Sequence, residues 1–444
     1  MKLLLVGGGG FRVPQILSVL ADPNLPINLT EVCLYDVSPD RLGVMRDVVT
    51  QLGYKNLPTI TVTTDMTDAV KGADFIFSAM RIGGTCGRVI DEREALSRGI
   101  LGQETVGVGG YAYAFRTIPE AMRLAETVRQ HAPEAWVINF TNPAGIITQA
   151  MRTVHPKVVG ICDTPIGLVR RAALVAGHKE KDITYDYVGL NHLGWLRSLS
   201  LDGEDLLPSI IADDAKLERL EEARTVGFDW VRTLGAIPNE YLYYYYFNRE
   251  SVASISHGQT RGEFLHDQQG SFYEQAQKDP ARAGELWTAT HNEREATYMA
   301  ESREEGEARR EEDMGGGYEH VALELMTALA TGTPARMILG VANDDADRLI
   351  IPQLREDAVV EVPCNVDGSG IHPIMHEPLT GPELGLVISV KACEELVIDA
   401  ALSGDKSIAW KALAAHPLVD SIAVAKSVLD AYIDKNPDVA KTFA

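Results

Sequence analysis

The sequence predicts an α/β protein with an N-terminal parallel sheet and a C-terminal α+β domain. Short apolar runs of strand character, each followed by a loop and a helical pattern, recur through the first part of the chain, which is typical of a parallel sheet with crossover helices. After His192 the pattern changes to polar helical stretches. Because 444 residues exceed the size of one hydrophobic core, we expect two domains, residues 1–165 and 166–444, packed tightly without a linker.

Composition excludes several kinds of partner. The 63 acidic residues outnumber 41 basic ones and give a formal net charge of −22, so we predict neither nucleic acid nor a membrane surface as partner. A local arginine can still hold a small anion at close range. The five cysteines are scattered and odd in number, and the sequence shows no signal pattern and no membrane-spanning apolar run, so we expect a cytoplasmic protein.

The chain opens with a strand, a glycine-rich loop and a helix. Strand residues 2–6 precede the loop, and the helical pattern of residues 15–20 follows it. The loop consists of Gly7, Gly8, Gly9, Gly10, Phe11 and Arg12. This order brings backbone N–H groups and a helix N-terminus to a pyrophosphate, as in Rossmann-type domains.

A second strand, residues 31–35, ends at Asp36, where a Rossmann domain binds the ribose of the nucleotide. The spacing from Gly9 is 36 − 9 = 27 residues, whereas about twenty is usual, and Arg12 replaces the third glycine of the motif. The loop alone therefore also fits a glycine-rich turn in another α/β protein. The N-terminal position, the acidic residue and a further strand at 73–78 favour a dinucleotide site.

The middle of the chain contains weaker signals. Residues 102–111 are expected to form a second glycine-rich loop before a long amphipathic helix from about Ile118 to His131, followed by a strand over 135–140. Asn142 follows that strand within an Asn-Pro pair, which by itself is only a turn signal. Arg88 lies beyond a glycine pair and can hold an anion, although a lone arginine is more often a solvated surface residue.

Later elements are assigned from composition and periodicity. The predictions are a polar helical region at 204–228, an aromatic core or interface segment around 241–247, a charged solvated helix at 286–313, a turn at 315–317, a strand at 359–364 and amphipathic helices over about the last eighty residues.

Two strands end in residues that apolar packing does not require. The first apolar run, from Val158, ends in Cys162 and Asp163, and the second ends in Asn191 and His192. Cysteine and histidine are natural ligands of a divalent transition metal, and an adjacent aspartate can donate or accept a proton. A lone Cys and a lone His are more often packed residues, so this pair alone leaves a metal site open.

Seven motifs in order carry a resemblance to a known family. They are Val6–Gly10, Asp91-Glu92, Gly102–Thr105, Asn142–Gly145, Gly160–Pro165, Gly189–His192 and Ile237–Tyr241. Together they resemble glycoside hydrolase family 4, the NAD- and metal-dependent glycosidases within the lactate/malate dehydrogenase-like superfamily, an exception to the usual two-carboxylate scheme. The resemblance implies an NAD-binding Rossmann domain and a second domain for substrate, metal and oligomerisation.

The resemblance implies a role for each site residue. Cys162 and His192 would be the metal ligands, Asp163 the proton donor to the leaving oxygen and Tyr241 the base. The nucleotide would lie over the glycine loop with Asp36 at its ribose. The implied substrate contacts are Arg88, Asn142, Asn191 and Arg261.

The family's chemistry requires these residue types. NAD oxidises the sugar at C3, which acidifies the C2 proton; a base removes that proton, the aglycone leaves C1, water adds, and the bound NADH returns its hydride. A metal on the C2 and C3 oxygens stabilises the charges that develop, and two protein ligands suffice because sugar oxygens and water complete the shell. A thiolate, an imidazole and hard oxygens suit Mn²⁺ or a neighbouring metal.

The resemblance implies a 6-phosphoglycoside as substrate. Members similar to 6-phospho-β-glucosidases carry Asn after the metal-binding Cys, whereas 6-phospho-α-glucosidases carry Asp; this chain has Asp163 in β-type surroundings. We interpret it as 6-phospho-β-glucosidase-like, with a 6-phospho-α-glucosidase or an unphosphorylated α-glycosidase as alternatives. A simple NAD-dependent 2-hydroxy-acid dehydrogenase is the rival from another class. A homodimer or homotetramer is implied by the family.

Overall fold

A computed structural model describes residues 1–297, 317–345 and 348–444. The strands are β1 Lys2–Val6, β2 Glu31–Tyr35, β3 Thr59–Thr63, β4 Phe75–Ser78, β5 Trp136–Asn139, β6 Val158–Gly160, β7 Thr184–Leu190, β8 Leu193–Leu201, β9 Glu204–Asp205, β10 Ile237–Pro238, β11 Ala335–Ala342, β12 Val359–Asp367 and β13 Gly370–Pro373.

The α-helices of the described residues are α1 Val13–Leu20, α2 Pro39–Leu52, α3 Met66–Val70, α4 Gly84–Leu96, α5 Gly107–His131, α6 Ala144–Arg152, α7 Thr164–Val175, α8 Leu207–Ile211, α9 Asp214–Leu217, α10 Glu221–Val226, α11 Phe228–Leu234, α12 Tyr243–Tyr246, α13 Asn248–Ser256, α14 Arg261–Lys278, α15 Ala283–Ala296, α16 Tyr318–Thr331, α17 Gly381–Ser403, α18 Lys406–Ala415, α19 Ile422–Lys435 and α20 Pro437–Thr442.

One sheet contains all of these strands. Its first half has the parallel order β3-β2-β1-β4-β5-β6, which is the Rossmann order and confirms the predicted N-terminal sheet. Beyond β6 the order continues β11-β12-β7-β8-β10, with every pair antiparallel. Strands from both sides of residue 165 lie in this one sheet, so the two predicted domains share one layer. The boundary between residues 165 and 166 remains a prediction.

Side chains alternate between the two faces of the sheet. On β1, Leu3 and Leu5 join a core that extends into the antiparallel half, whereas Leu4 and Val6 face a second core on the opposite side. Helices α17 to α20 at the end of the chain pack over this second core, where Val397 and Tyr432 are fully buried. The C-terminal helices therefore cover the N-terminal half of the sheet. The predicted helices are present from Gly381 on, but α17 contacts both cores and has no single apolar face, and residues 370–373 form a strand.

Most predicted elements are confirmed, and one boundary was wrong. Strands 2–6 and 31–35 lie where the apolar runs indicated. The long helix begins at Gly107 and not near Ile118, because Gly109 and Gly110 let the first turn lie directly against the preceding loop. A Cβ at Gly109 would lie 2.3 Å from the Gln103 carbonyl oxygen, and one at Gly110 2.6 Å from the Thr105 carbonyl carbon.

The remaining assignments fall partly outside the described residues. The region predicted to be helical over 204–228 contains the short helices α8, α9 and α10, but its first two residues were assigned wrongly, because they form the strand β9 beside β8. Of the charged helix predicted at 286–313, residues up to 296 lie in α15 and those from 298 on are outside the described residues, as are 315 and 316 of the predicted turn. None of the described helices combines the length and apolar character that crossing a membrane requires.

The close approach of α5 to residues 103–105 makes opposite predictions for two glycines. Helix propensity favours Ala over Gly by about 1 kcal/mol in a helix interior. Gly43 in α2 has open space around its Cβ position, so Gly43→Ala should raise the free energy of unfolding by up to about 1 kcal/mol. At Gly109 the clash of the new Cβ with the Gln103 carbonyl should outweigh the gain in helix propensity, so Gly109→Ala should lower the free energy of unfolding by about 2 kcal/mol.

Chemical denaturation of the two variants beside the wild-type protein measures both free energies. Equal stabilisation by both substitutions would show that the loop is not held against α5.

Candidate active site

A cavity of about 800 Å³ opens at the carboxyl ends of the parallel strands. It collects most of the site residues that the sequence indicated. Those lining it are Gly7, Gly10, Phe11, Arg12, Arg88, Asn142, Cys162, Asp163, Asn191, His192, Tyr241 and Arg261. Gly8, Gly9 and Asp36 are not among its lining residues. The structure thus brings the predicted residues together, while their roles remain predictions.

The glycine loop is fixed between the sheet and two later helices. The Gly8 N–H donates to the Tyr35 carbonyl at 2.7 Å, and a Cβ on Gly8 would lie 2.7 Å from the Leu34 Cβ. From the other side, the Tyr273 hydroxyl donates to the Gly9 carbonyl at 2.7 Å, and the Trp287 indole donates to the Phe11 carbonyl at 2.8 Å. A side chain at Gly8 would therefore clash with β2.

The loop suits a dinucleotide because it leads directly into α1, whose N-terminus faces the cavity edge. Asp36 accepts hydrogen bonds from the Gly9 N–H and the Ser38 N–H, both at 3.0 Å. The carboxylate therefore holds the loop in shape, and its predicted contact with a ribose stays a prediction.

His192 is held in a defined orientation and tautomer. It has a positive φ of 63° in the tight turn between β7 and β8, and its ring stacks on Tyr241 with centroids 3.7 Å apart and planes 3° apart. Its Nδ1 lies 3.0 Å from the Thr105 hydroxyl. That hydroxyl donates its proton to Gln103 Oε1 at 3.2 Å, so it accepts from Nδ1–H, and Nε2 carries the lone pair.

The orientation of Gln103 is itself well determined. Its Oε1 also accepts hydrogen bonds from the backbone N–H groups of Thr105 and Val106, at 2.6 and 2.8 Å.

Burial lowers the pKa of His192 to about 3, so the ring is neutral, which is the form that binds a metal.

Cys162 lies at the end of β6, beside the hydrogen-bonded pair of Thr164 and Asn239. Thr164 Oγ1 lies 3.4 Å from Cys162 Sγ, and the same hydroxyl accepts from the Asn239 amide at 2.8 Å. Burial, with the nearby carboxylates of Glu361 and Asp163, raises the pKa of the thiol well above its usual value. A divalent cation at this position would reverse that effect, because it favours the thiolate.

The donor set is one sulfur and one imidazole nitrogen. Within the described ranges, no group of three or more His, Cys, Asp or Glu side chains is placed to hold a metal ion. The two predicted ligands, Cys162 and His192, are fewer than a structural metal site needs, and they would fit a metal whose shell is completed by substrate and water.

Asn239 connects the strand end at Cys162 with Tyr241. Its amide nitrogen donates to Thr164, and its oxygen accepts the Tyr241 backbone N–H at 3.1 Å. Asn239 is 1% exposed, so solvent does not compete for these bonds. Asn239 belongs to the motif 237–241, but the family resemblance implied no role for it.

Asp163 lies half-buried at the N-terminus of α7, next to Arg12. Burial alone would lower the pKa of Arg12, but Tyr318 and Asp163 raise it above its usual value. The Arg12 guanidinium lies over the Tyr318 ring at 4.8 Å and the Phe140 ring at 5.2 Å. Arg12 therefore occupies a defined position beside the predicted acid.

Glu104 organises the arginines on the next wall of the cavity. It pairs with both Arg81 and Arg88, while the Arg88 Nε donates to Glu92 at 2.7 Å. Although burial would raise the pKa of Glu104, the two arginines hold it well below its usual range. Glu92 also accepts the Gly262 N–H at 2.8 Å, which ties the start of α14, and with it Arg261, to this wall.

Glu361 on β12 is a second polar residue at the site for which the sequence indicated no role. Its carboxyl accepts from the Asn191 amide at 3.2 Å and the Tyr187 hydroxyl at 3.4 Å, and burial raises its pKa to about 8. The signal in the sequence was an acidic residue inside the predicted strand 359–364. Glu361 thus binds the amide nitrogen of Asn191, a residue that lines the cavity.

The fold and this cavity define the class of protein. Residues 2–177 match the profile described as family 4 glycosyl hydrolase, and residues 187–419 match its C-terminal domain. The chain belongs to this family, as the motifs indicated.

Particular relatives span the whole chain. It is 30% identical to a 6-phospho-alpha-glucosidase of Leptotrichia buccalis, with 98% of each chain covered. A 6-phospho-beta-glucosidase from Thermotoga maritima, solved with manganese, NAD⁺ and glucose-6-phosphate, is 26% identical with a TM-score of 0.82 over 99% of this chain and 98% of that one. Malate dehydrogenase from Plasmodium falciparum, 15% identical with a TM-score of 0.50 over 91% and 99%, shares the fold alone and confirms the dehydrogenase-like architecture.

The hydroxyl of Thr105 offers a test of His192 as a metal ligand. Thr105→Val keeps the shape but removes the acceptor for Nδ1–H, so the ring loses its fixed tautomer. Mn²⁺ affinity, measured by titration calorimetry on the free protein, should fall by about 10- to 100-fold. Thr105→Ser, which retains the hydroxyl, should bind Mn²⁺ within a few-fold of wild type. Unchanged Mn²⁺ affinity in the valine variant would show that His192 is not a ligand of the metal.

Proposed function

We propose that this chain hydrolyses 6-phosphoglucosides with the help of NAD and a divalent metal ion such as Mn²⁺. The observation that carries the proposal is the convergence of Cys162, Asp163, His192 and Tyr241 on the cavity that the glycine loop borders. Relatives with either anomeric preference cover nearly the whole chain, and one was solved with the three ligands that this proposal requires.

The residues present fit both cofactors. The glycine loop and the start of α1 would hold NAD, and Cys162 Sγ with His192 Nε2 would hold the metal. When bound, NAD supplies a hydride acceptor and donor for the sugar C3, and the metal supplies a Lewis acid for the sugar oxygens.

The side chains of the protein move the protons. Tyr241 takes the proton from C2, and its parallel stacking on His192 fixes the phenol beside the metal ligand. Asp163 gives a proton to the departing glycosidic oxygen and afterwards can accept one from the attacking water. Asn191 presents an acceptor oxygen to a sugar hydroxyl, because Glu361 binds its amide nitrogen.

We infer a preference for 6-phospho-β-glucosides, as the surroundings of Asp163 indicated. The second candidate is 6-phospho-α-glucoside hydrolysis, which is favoured by the carboxyl group of Asp163 itself. Elimination passes through a flat intermediate, so the anomer depends on where the leaving group lies relative to this acid. A cytoplasmic location and a homodimer or homotetramer remain predictions from the sequence.

Hydrolysis of the two p-nitrophenyl 6-phosphoglucosides tests the activity and the anomer together. With NAD and Mn²⁺ present, we expect release of p-nitrophenol from the β-anomer at the higher kcat/KM. Chelation of the metal or removal of NAD should abolish it. Activity that survives both treatments would contradict the mechanism, and NADH accumulation with malate or lactate but no phosphoglycoside turnover would identify a dehydrogenase.

Tyr241→Phe tests the assigned base. Losing a general base typically costs about 10²- to 10⁴-fold, so kcat should fall by that amount, and exchange of the C2 proton with solvent should slow in parallel. Tyr243→Phe is the matched control, since Tyr243 belongs to the same aromatic segment but does not line the cavity. Wild-type exchange in the Tyr241 variant would show that another group removes the proton.

A further inference from the structure

The buried carboxyl group of Glu361 lies between two side chains of the neighbouring strand. Glu361 is 3% exposed and is paired with Gly189 in the antiparallel register of β12 and β7. Tyr187 and Asn191 lie two residues to either side of Gly189, which is the spacing that places side chains on one face of a strand. Because Gly189 has no side chain, Tyr187 and Asn191 are the neighbours that the carboxyl group meets on this face.

Both carboxyl oxygens of Glu361 accept hydrogen bonds. Oε1 accepts from the Asn191 amide nitrogen at 3.2 Å, and Oε2 accepts from the Tyr187 hydroxyl at 3.4 Å. Glu361 and Tyr187 do not line the cavity, whereas Asn191 does. Asn191 is therefore the hydrogen-bond partner through which this carboxyl group can act on a ligand.

The Tyr187 hydroxyl is held in place, so it occupies one of the two carboxyl oxygens. A Cβ on Gly194 would lie 2.5 Å from this hydroxyl oxygen, which shows how closely β8 packs against it. The hydroxyl is also hydrogen-bonded to Asn239, whose own oxygen accepts the Tyr241 N–H at 3.1 Å. With the amide nitrogen of Asn239 as a donor to the hydroxyl oxygen, the hydroxyl proton is left for Glu361.

The Asn191 side chain is fixed from two sides. Its nitrogen donates to Glu361, and a Cβ on Gly145 would lie 3.3 Å from the Asn191 Cβ, so the start of α6 packs against the same side chain. Among the described residues, the Asn191 amide oxygen accepts no hydrogen bond from the protein. An asparagine amide has one donor end and one acceptor end. The end that is not used by the protein is therefore the acceptor.

We propose that Glu361 is a positioning residue, which fixes the Asn191 amide so that its oxygen accepts a hydrogen bond from a hydroxyl group of the sugar. The arginines that line the cavity can only donate, so a hydroxyl bound among them needs an acceptor for its own proton. This inference rests on the proposed function. It adds the residue that determines whether the cavity offers an acceptor or a donor at Asn191.

Glu361→Gln tests the inference because it replaces one acceptor with a donor at nearly constant shape. If the oxygen of the new amide accepts from Tyr187, its nitrogen faces the Asn191 nitrogen, donor against donor. The Asn191 amide should then turn over and offer N–H groups in place of its oxygen. In titration calorimetry, the holoenzyme loaded with NAD and Mn²⁺ should bind glucose 6-phosphate about 10- to 100-fold more weakly than wild type.

The Mn²⁺ affinity of the free protein separates this role from a general structural one. In Glu361→Gln it should stay within a few-fold of wild type, because the hydrogen bond between Thr105 and His192 is unchanged.

An exchange of the two groups gives the sharpest variant. Asn191→Asp alone places two carboxyl groups against each other and should also weaken glucose 6-phosphate binding by about 10- to 100-fold. In the double variant Asn191→Asp/Glu361→Gln, the amide nitrogen at position 361 can donate to the carboxyl group at position 191, whose second oxygen remains an acceptor. The double variant should therefore bind glucose 6-phosphate at least about fivefold more tightly than either single variant.

Glu31→Gln is the matched control, because it makes the same change in another strand of the sheet, where the carboxyl group accepts from the Thr61 hydroxyl at 2.6 Å. It should leave both affinities unchanged. Wild-type affinity of Glu361→Gln for glucose 6-phosphate would overturn the inference, and so would single losses that simply multiply in the double variant. A parallel fall in the Mn²⁺ affinity of Glu361→Gln would assign it a general structural role and would also overturn the inference.

The double variant decides alone if Glu361→Gln does not fold. Binding tighter than that of Asn191→Asp supports the pairing, and binding no tighter overturns it. The proposed function fails separately: a wild-type protein that turns over no 6-phosphoglucoside contradicts that function. A wild-type protein that does so, with no rescue in the double variant, contradicts only the role of Glu361.

Discussion

The contact of α5 with residues 103–105 is the constraint on which the site depends. Gly109 and Gly110 allow the first turn of this helix to approach the backbone of Gln103 and Thr105 more closely than any side chain would permit. The loop held in this way carries Thr105, which orients His192, and Glu104, which pairs with Arg88. One packed segment therefore positions both His192, a predicted metal ligand, and Arg88 on the arginine-rich wall of the cavity.

Hydrophobic patterning predicted the frame of the protein well. The runs 2–6 and 31–35 are strands because alternate residues face two separate cores, and a buried parallel strand leaves a continuous apolar run in the sequence. The start of α5 was misplaced because glycines usually indicate a loop, and their close approach to another segment becomes visible only in three dimensions.

The polar residues at two strand ends were found from the sequence, since Cys162, Asp163 and His192 interrupt apolar runs; the structure places them around one cavity, and their roles stay predictions. Residues that contact the site only through other side chains were not found from the sequence. Asn239 bonds Thr164 across 75 positions of sequence as well as its near neighbour Tyr241, and Glu361 reaches Asn191 across 170. Such pairings depend on strand order, in which β12 lies beside β7, and a single sequence does not give that order.

The charge of the cavity differs from that of the whole chain. The chain is acidic overall, but arginines from separate elements line the cavity.

The central claim is that Cys162 and His192 hold a metal within this cavity. Anomalous diffraction at the manganese edge, from crystals grown with Mn²⁺, NAD and glucose 6-phosphate, tests it most directly. The account predicts one peak bonded to Cys162 Sγ and His192 Nε2, and a manganese peak on other ligands, with none at this pair, would contradict it.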